Sequence, residues 1–258
     1  MEELSVPISA AAFVAAAGVT IVAGFVKGAV GFAMPMIMMA CMVMFLPAPI
    51  ALAMLILPTL VSNAWQALRQ GHAAAWASVR PFRRYLAILV VTILLAAHLV
   101  TRLSPELLYL VLGVPIIGLA LLQLWGVRFH IPPERRLGAD LGLGVFAGFM
   151  GGLSGSWGPQ TVLYLTALDV PKAESVRIQG VIYGIGSVAL LAAHLQSGVL
   201  NLQTLPLSLA MIVPAALGMA LGFKVHDRLD QARFRRWTLI VLVVVGANLV
   251  RKGLAGWS

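Results

Sequence analysis

Apolar residues dominate this chain in long uninterrupted runs, and charged residues fall between the runs. Residues 28–68, 107–127, 141–168 and 178–223 contain no Asp, Glu, Lys or Arg. A helix that crosses a bilayer needs about 20 consecutive, mostly apolar residues, so runs of this length indicate membrane-spanning helices. The pattern therefore predicts an all-α polytopic membrane protein.

Ten apolar segments can be delimited along the chain. They run roughly over 6–33, 36–46, 49–68, 85–101, 107–125, 138–152, 159–168, 178–194, 205–223 and 237–250. Several are too short to cross a hydrocarbon core of about 30 Å. The short segments flank glycine-rich stretches, so we expect broken or re-entrant helices there, buried by protein or lining a cavity.

The composition narrows the classes of function. Only 10% of the 258 residues are charged, against about 25% in an ordinary soluble domain. This excludes a soluble enzyme, and the net charge of +9 is assigned to membrane loops rather than to nucleic-acid binding. The single Cys41 excludes a disulfide framework and a cysteine-based metal site. We therefore expect a lipid bilayer as partner and no cofactor, metal or nucleic acid.

Loop charges predict the orientation in the membrane. Loops 69–84, 126–137 and 224–236 carry +4, +2 and +3, whereas loops 101–106 and 195–206 are neutral. Basic loops stay on the cytoplasmic side, so the three positive loops are predicted to be cytoplasmic. Both termini then lie outside, and the expected location is the inner membrane of a bacterial cell.

A glycine-rich motif occurs twice, at an offset of 124 residues. Residues 23–35 read AGFVKGAVGFAMP and residues 147–159 read AGFMGGLSGSWGP, with six of thirteen positions identical. The chain is thus interpreted as two transmembrane repeats, 1–128 and 129–258. Corresponding loops differ in charge, because loop 69–84 is positive while its counterpart 195–206 is neutral. This favours inverted-topology repeats, an architecture of secondary transporters; parallel repeats are the alternative.

The duplicated G-F-x-x-G-x-x-G stretch that closes on a proline resembles the sulfite exporter TauE/SafE family, also called toluene-sulfonate uptake permeases. The resemblance extends over most of the chain. It includes Leu57-Pro58, Asn63-x-x-Gln66, Tyr164-Leu165, Asp169-Val170-Pro171-Lys172 and Gly198-Val199-Leu200-Asn201. The family motif is closer to G-x-G-G-G, and this chain departs from it at 32–34 and 156–157. The resemblance implies transport of small oxyanions, notably sulfite and organic sulfonates, by a protein that is not an enzyme.

The prolines that close the motifs suggest how an anion could be bound. Pro35 and Pro159 favour the first turn of a new helix. Helix N-termini present free N–H groups and a positive dipole end, so two of them facing each other predict an anion site. The predicted site residues in the motifs are Gly28, Gly31, Gly152, Ser154, Gly155, Ser156 and Gln160. Close helix packing through small residues is the alternative.

Two cations and three amides complete the predicted site. Lys27 lies between two long apolar runs, and a charge inside a bilayer is a functional candidate by default. Arg177 precedes the 178–194 span and could reach inward. The alternative for Lys27 is snorkelling to the lipid interface, and for Arg177 a headgroup position. Because no acidic residue lies in an apolar core, the sequence favours an anionic substrate.

The amides Asn63, Gln66 and Gln179 are predicted to line the pathway, with interhelical hydrogen bonding as the alternative. The predicted mechanism is alternating access by a secondary transporter.

Two alternative functions are consistent with the same segments. Gly152-Leu153-Ser154-Gly155 fits the G-x-S-G of rhomboid-type intramembrane serine proteases, with His194 as a candidate base. The first motif copy has no serine, and His194 is expected at the far end of its span. A passive anion channel is the second rival. A homo-oligomer is left open.

Overall fold

The computed structural model describes residues 8–68, 76–77, 79–127, 130–226 and 231–255. Within these ranges the regular elements are helical and no strand is present. The α-helices are α1 (Ala10–Val30), α2 (Met34–Met42), α3 (Ala48–Leu68), α4 (Arg83–Ala97), α5 (Pro105–Leu124), α6 (Arg136–Ser154), α7 (Gly158–Ala167), α8 (Lys172–Gln196), α9 (Leu205–Ala210), α10 (Ile212–His226) and α11 (Gln231–Ala255). This confirms the all-α prediction.

Seven helical stretches are long and apolar enough to cross a membrane, counted within the described ranges. They are Ala10–Ala29, Ala48–Leu68, Pro105–Leu124, Pro133–Ser154, Arg177–Gln196, Leu205–Lys224 and Arg236–Ala255. Helices α2 and α7 have only 9 and 10 residues. At about 1.5 Å per residue each is roughly 15 Å long, about half the thickness of a hydrocarbon core. The protein is a polytopic membrane protein with two short internal helices.

The order and bounds of the helices correspond between the two halves of the chain. The offset of 124 maps the end of α1 at Val30 onto the end of α6 at Ser154. It likewise maps the starts of α2 and α3, Met34 and Ala48, onto the starts of α7 and α8. Helix α4 corresponds to α9 and α10 together, and α5 corresponds to α11. The offset read from one motif therefore holds along the whole helix order.

Three closely packed helix pairs surround a central pair formed by α3 and α8. Helix α1 packs on α10, α4 on α6 and α5 on α11, while α3 and α8 pack on each other. Two thirds of the spans in α3 and α8 are buried inside the protein, against one third in α1 and α5. At Gly24 the approach is so close that a Cβ atom would lie 2.5 Å from the carbonyl oxygen of Ala215. Small residues thus allow the helices of the outer pairs to pack closely against each other, as is usual in membranes.

Candidate functional site

The two glycine motifs end their helices in the same way. Gly31 and Gly155 follow α1 and α6 in the left-handed conformation, with φ of 88° and 68°. That conformation favours glycine because a Cβ atom would crowd the next carbonyl. Four residues after each glycine, Pro35 and Pro159 occupy the first turns of α2 and α7. Each motif therefore stops one helix and starts a short second helix.

The segment between α1 and α2 lies close to the segment between α6 and α7. A Cβ atom on Gly155 would lie 3.6 Å from Cβ of Pro35, and one on Gly158 would lie 3.7 Å from Cβ of Phe32. A narrow cavity of about 20 Å³ lies between them. Its lining consists of Lys27, Phe32, Ala33, Pro35, Met36, Asn63, Gly155, Ser156, Trp157, Gly158, Pro159 and Tyr183.

Lys27 is the charged residue of this cavity. Its side chain is 2% exposed, and its ammonium group donates a hydrogen bond to Oδ1 of Asn63. The Asn63 amide in turn donates to the carbonyl oxygen of Tyr183 at 3.1 Å, and Nζ lies 5.9 Å from the centroid of the Tyr183 ring. A cation held in this way inside the protein does not snorkel to lipid. The other described residues that line the cavity are neutral, so a bound anion would offset the cost of burying its charge.

Four of the predicted site residues line the cavity: Lys27, Asn63, Gly155 and Ser156. Gly28 and Gly152 do not. A Cβ atom on Gly28 would lie 3.0 Å from Cα of Gly222 in α10, and one on Gly152 would lie 2.8 Å from Cβ of Ala96 in α4. These two glycines lie at helix-packing contacts, which was the alternative for the motif.

The glycine N–H groups have a different role from the one the sequence suggests. The N–H of Gly31 donates to the carbonyl oxygen of Lys27, and the N–H of Gly155 to that of Gly151, both at 2.7 Å. They are therefore engaged in closing α1 and α6. The N–H groups that have no intrahelical acceptor belong to the first turns of α2 and α7. Pro35 and Met36 in α2, and Gly158 in α7, line the cavity at those turns.

The remaining predicted polar residues lie outside the cavity lining. Ser154 donates to the carbonyl oxygen of Met150 at 2.7 Å. Gln179 donates to Ser175 at 3.0 Å, and its Oε1 atom lies 3.4 Å from the hydroxyl of Tyr183, a lining residue. Gln66 and Gln160 each have a buried Oε1 atom that finds no hydrogen-bond partner within the described ranges. A role in substrate binding stays a prediction for these four residues.

Arg177 is not brought together with Lys27. It lines a separate pocket at the start of α8, together with Arg136, Glu174 and the hydrogen-bonded side chains of His130 and Asp169, whose Nδ1 and Oδ2 atoms are 2.8 Å apart. His130 and Asp169 are largely exposed, at 70% and 73%. Arg177 thus belongs to a polar pocket at one end of the helices rather than to the central cavity.

Sequence reasoning did not place Trp157 and Tyr183 in the site. Trp157 is 2% exposed, and its ring lies between Gly151 and Gly186, where added Cβ atoms would come within 2.9 and 2.7 Å of it. The sequence does mark this position, because Trp157 stands where the motif of the resembled family has a glycine, shortly before Pro159. Tyr183 donates to the carbonyl oxygen of Gly158 at 3.2 Å, which ties α8 to the start of α7.

The serine-protease alternative gains no support from the geometry of its two residues. His194 was expected at the end of its span that lies away from the motif serine, and this is wrong: it lies at the end of α8, but that end is buried beside the second motif. Its Nε2 atom is 2.9 Å from the carbonyl oxygen of Gly152, and its Nδ1 atom is 3.1 Å from Oγ of Ser197. Both ring nitrogens thus have partners other than Ser154, whose hydroxyl bonds to its own helix.

The expectation of an interior without acidic groups is also wrong. Asp140, in the second turn of α6, is 3% exposed and accepts a hydrogen bond from the hydroxyl of Tyr164. In the part of the chain that the structure describes, it is the only buried acidic residue. The reason is that α7 folds back along α6 and covers a position that the sequence places next to a charged loop.

Comparison with known proteins identifies the family. A family model described as "Sulfite exporter TauE/SafE" matches residues 16–249, nearly the whole chain. No curated protein and no solved structure matches the chain. The matched region contains both glycine motifs, Lys27 and every residue that lines the central cavity. The chain therefore belongs to the TauE/SafE sulfite exporter family, a family of membrane transporters.

Proposed function

We propose that the protein is a secondary transporter that moves small oxyanions, such as sulfite, organic sulfonates or related organosulfur anions, across a bacterial inner membrane. The observation that carries this proposal is the central cavity, where the buried cation of Lys27 meets the first turns of α2 and α7. Positive helix ends and a fixed cation are the two devices by which proteins replace the hydration of an anion. The hydroxyl of Ser156 adds a donor on one side.

Inverted repeats fit the directions of corresponding helices. In α5 and α11, Gly113 lies against Gly246, while Gly253 lies against Leu110, so the two helices run antiparallel. In α3 and α8, Asn63 bonds to Tyr183 while Gly180 lies beside Ala67, which again indicates antiparallel helices. If the two repeats were related by an axis along the membrane normal, corresponding helices would run parallel to each other. Antiparallel counterparts support an axis in the membrane plane.

Alternating access fits the position of two further pockets. One lies where α2 ends, between residues 43–49 and 100–109, and contains Lys252, whose ammonium donates to the carbonyl oxygens of Val43 and Met44 at 3.2 and 3.0 Å. The other lies where α7 ends and contains Arg177. The ends of α2 and α7 are corresponding positions, so in inverted repeats these pockets would face opposite sides. We propose that they are the two vestibules of the central cavity.

The test is transport by the purified protein in liposomes. Uptake of labelled sulfite, sulfoacetate, taurine and an aryl sulfonate is measured, with and without a proton gradient. A carrier is expected to show saturable uptake of one or more of these anions and exchange of internal for external anion. Flux that rises linearly with concentration would indicate a channel instead. No flux of any of the four anions above that of protein-free liposomes would contradict the proposal.

A further inference from the structure

A polar cluster lies apart from the central cavity, around the buried carboxyl group of Asp140. The Tyr164 hydroxyl donates to Oδ1 of Asp140, and the Tyr164 ring stacks on Tyr85 with centroids 4.4 Å apart. The Tyr85 hydroxyl is 3.0 Å from Oγ1 of Thr161. The cluster thus joins α4, α6 and α7 through side chains that an apolar core would not require.

The charge of Asp140 is poorly compensated. The titratable groups that face it are the phenols of Tyr85 and Tyr164 and the guanidinium of Arg136, one turn earlier on α6. Arg136 donates to the carbonyl oxygen of Pro81 at 2.9 Å and lies over the Phe82 ring, and it forms no ion pair with Asp140 in the described residues. A carboxylate can accept about four hydrogen bonds, and this one has a single donor among the residues that the structure describes. An ionisable group buried in a membrane-spanning helix with so few partners is a functional candidate by default.

The fold itself does not require this carboxyl group. The positions that correspond to Asp140 and Tyr164 in the first half are Ala16 and Ala40, and both are fully buried. Helices α1 and α2 also pack against each other, and they carry buried alanines at the positions where α6 and α7 have the carboxyl and the phenol. The pair is a feature of one half only, as expected for a functional group and not for a packing device.

The cluster is connected to the central cavity by α7. The Asp140–Tyr164 bond joins the start of α6 to the end of α7, and the cavity lies at the opposite ends of the same two helices. Thr161 donates to the carbonyl oxygen of Trp157 at 2.8 Å, and Trp157 lines the cavity. A change in the hydrogen bonding of Asp140 can thus alter how α7 lies on α6, and with it the cavity.

We propose that Asp140 is the proton-binding site that couples anion transport to proton movement, an inference that rests on the proposed function. The carboxylate takes up one proton and becomes a neutral acid, and the Tyr164 hydroxyl then loses its charged acceptor. The bond between α6 and α7 weakens in the protonated form and re-forms when the proton leaves. The free energy of proton binding thereby shifts the arrangement of the helices around the anion.

The test compares wild-type protein with Asp140→Asn in liposomes, using labelled sulfite. Net flux is measured under proton gradients of both polarities, and exchange is measured at equal pH on both sides. In the wild type, one polarity is expected to accelerate net flux several-fold. Asp140→Asn is expected to keep exchange and to lose that acceleration. Glu134→Gln, the same change at an exposed acidic residue, is expected to keep both. Protonation of sulfite itself is identical in all three samples, so differences belong to the protein.

Tyr164→Phe provides a second readout that does not depend on how Asp140→Asn folds. Removing the donor disfavours the charged carboxylate, so the pH profile of net flux is expected to move to higher pH. A purely structural role would lower thermal stability and leave that profile in place. Gradient-driven flux retained by Asp140→Asn, or an unmoved profile in Tyr164→Phe, would overturn the coupling alone. No saturable flux in the wild type would overturn the proposed function and the coupling with it.

Discussion

Trp157 is the largest side chain in the wall of the central cavity, and it fits only because glycines lie on both of its faces. A Cβ atom on Gly186 would lie 2.7 Å from Cε2 of Trp157, whereas one on Gly184 would meet Cβ of Ala67 at an ordinary 3.5 Å. We therefore expect Gly186→Ala to displace the indole and to cost about 1–3 kcal/mol of stability, as overpacking does. Gly184→Ala is the matched control.

Thermal unfolding of both variants in detergent, followed by sulfite binding, checks this prediction. Gly186→Ala should melt earlier and bind more weakly, and Gly184→Ala should behave as the wild type. Equal melting temperatures and equal affinities in the two variants would show that the indole has room to move.

Gly31 is constrained by its backbone conformation and not by space. Its φ is 88°, and the nearest atom to an added Cβ would be Nε2 of Gln66 at 3.9 Å. Asparagine tolerates the left-handed conformation whereas β-branched residues do not. We expect Gly31→Asn to keep transport and Gly31→Val to lose it, at a cost of about 1–2 kcal/mol in stability. Liposome transport and unfolding measured together check this; equal loss in both variants would mean that the site tolerates no side chain at all.

At the scale of the helices, most of the architecture could be predicted from the sequence. Each of the ten apolar segments coincides with a helix or a near-continuous helix pair, because hydrocarbon requires a backbone that satisfies its own hydrogen bonds. The glycine and proline of each motif also predict where α1 and α6 stop. The pairing of helices could not be predicted, because it depends on contacts such as Gly24 with Ala215 that are far apart in sequence.

Opposite orientation of corresponding loops is the testable consequence of inverted repeats. Loop 69–84 is predicted to be cytoplasmic and loop 195–206 external, from charges of +4 and 0. Single cysteines at Ala77 and Leu202, both exposed, are introduced into a Cys41→Ser background. A membrane-impermeant maleimide added to intact cells should label position 202 and not position 77. Labelling of both from the same side would indicate parallel repeats.

For the molecule as a whole, the sequence indicated the two motifs beside the central cavity but not every residue that lines it. Lys27 could be identified because a lone charge in an apolar run is conspicuous. Asp140 could not, because it follows a charged loop and is buried only by Tyr164, 24 residues later. His194 was misplaced for a related reason: helix α8 passes α6 so that the end of its span meets Gly152. Such positions depend on how helices cross, which local patterns do not contain.

The central claim is that the buried charge of Lys27 holds the anion. A unit charge about 4 Å away contributes roughly 4 kcal/mol at an effective dielectric near 20. Losing half of that weakens binding about 30-fold, at 1.4 kcal/mol per factor of ten. Lys27→Arg should keep part of the affinity, because the charge remains while its shape changes. Lys224→Gln, at an exposed position at the end of α10, is the control and should bind as the wild type.

The most direct measurement is calorimetric binding of sulfite to the purified wild-type protein and to Lys27→Gln at one fixed pH. Glutamine keeps most of the length and the hydrogen bonding to Asn63 but removes the charge. We expect the dissociation constant to rise about 30-fold in Lys27→Gln. A dissociation constant equal to that of the wild type would contradict the claim and would move the search for the anion to the pocket that contains Arg177.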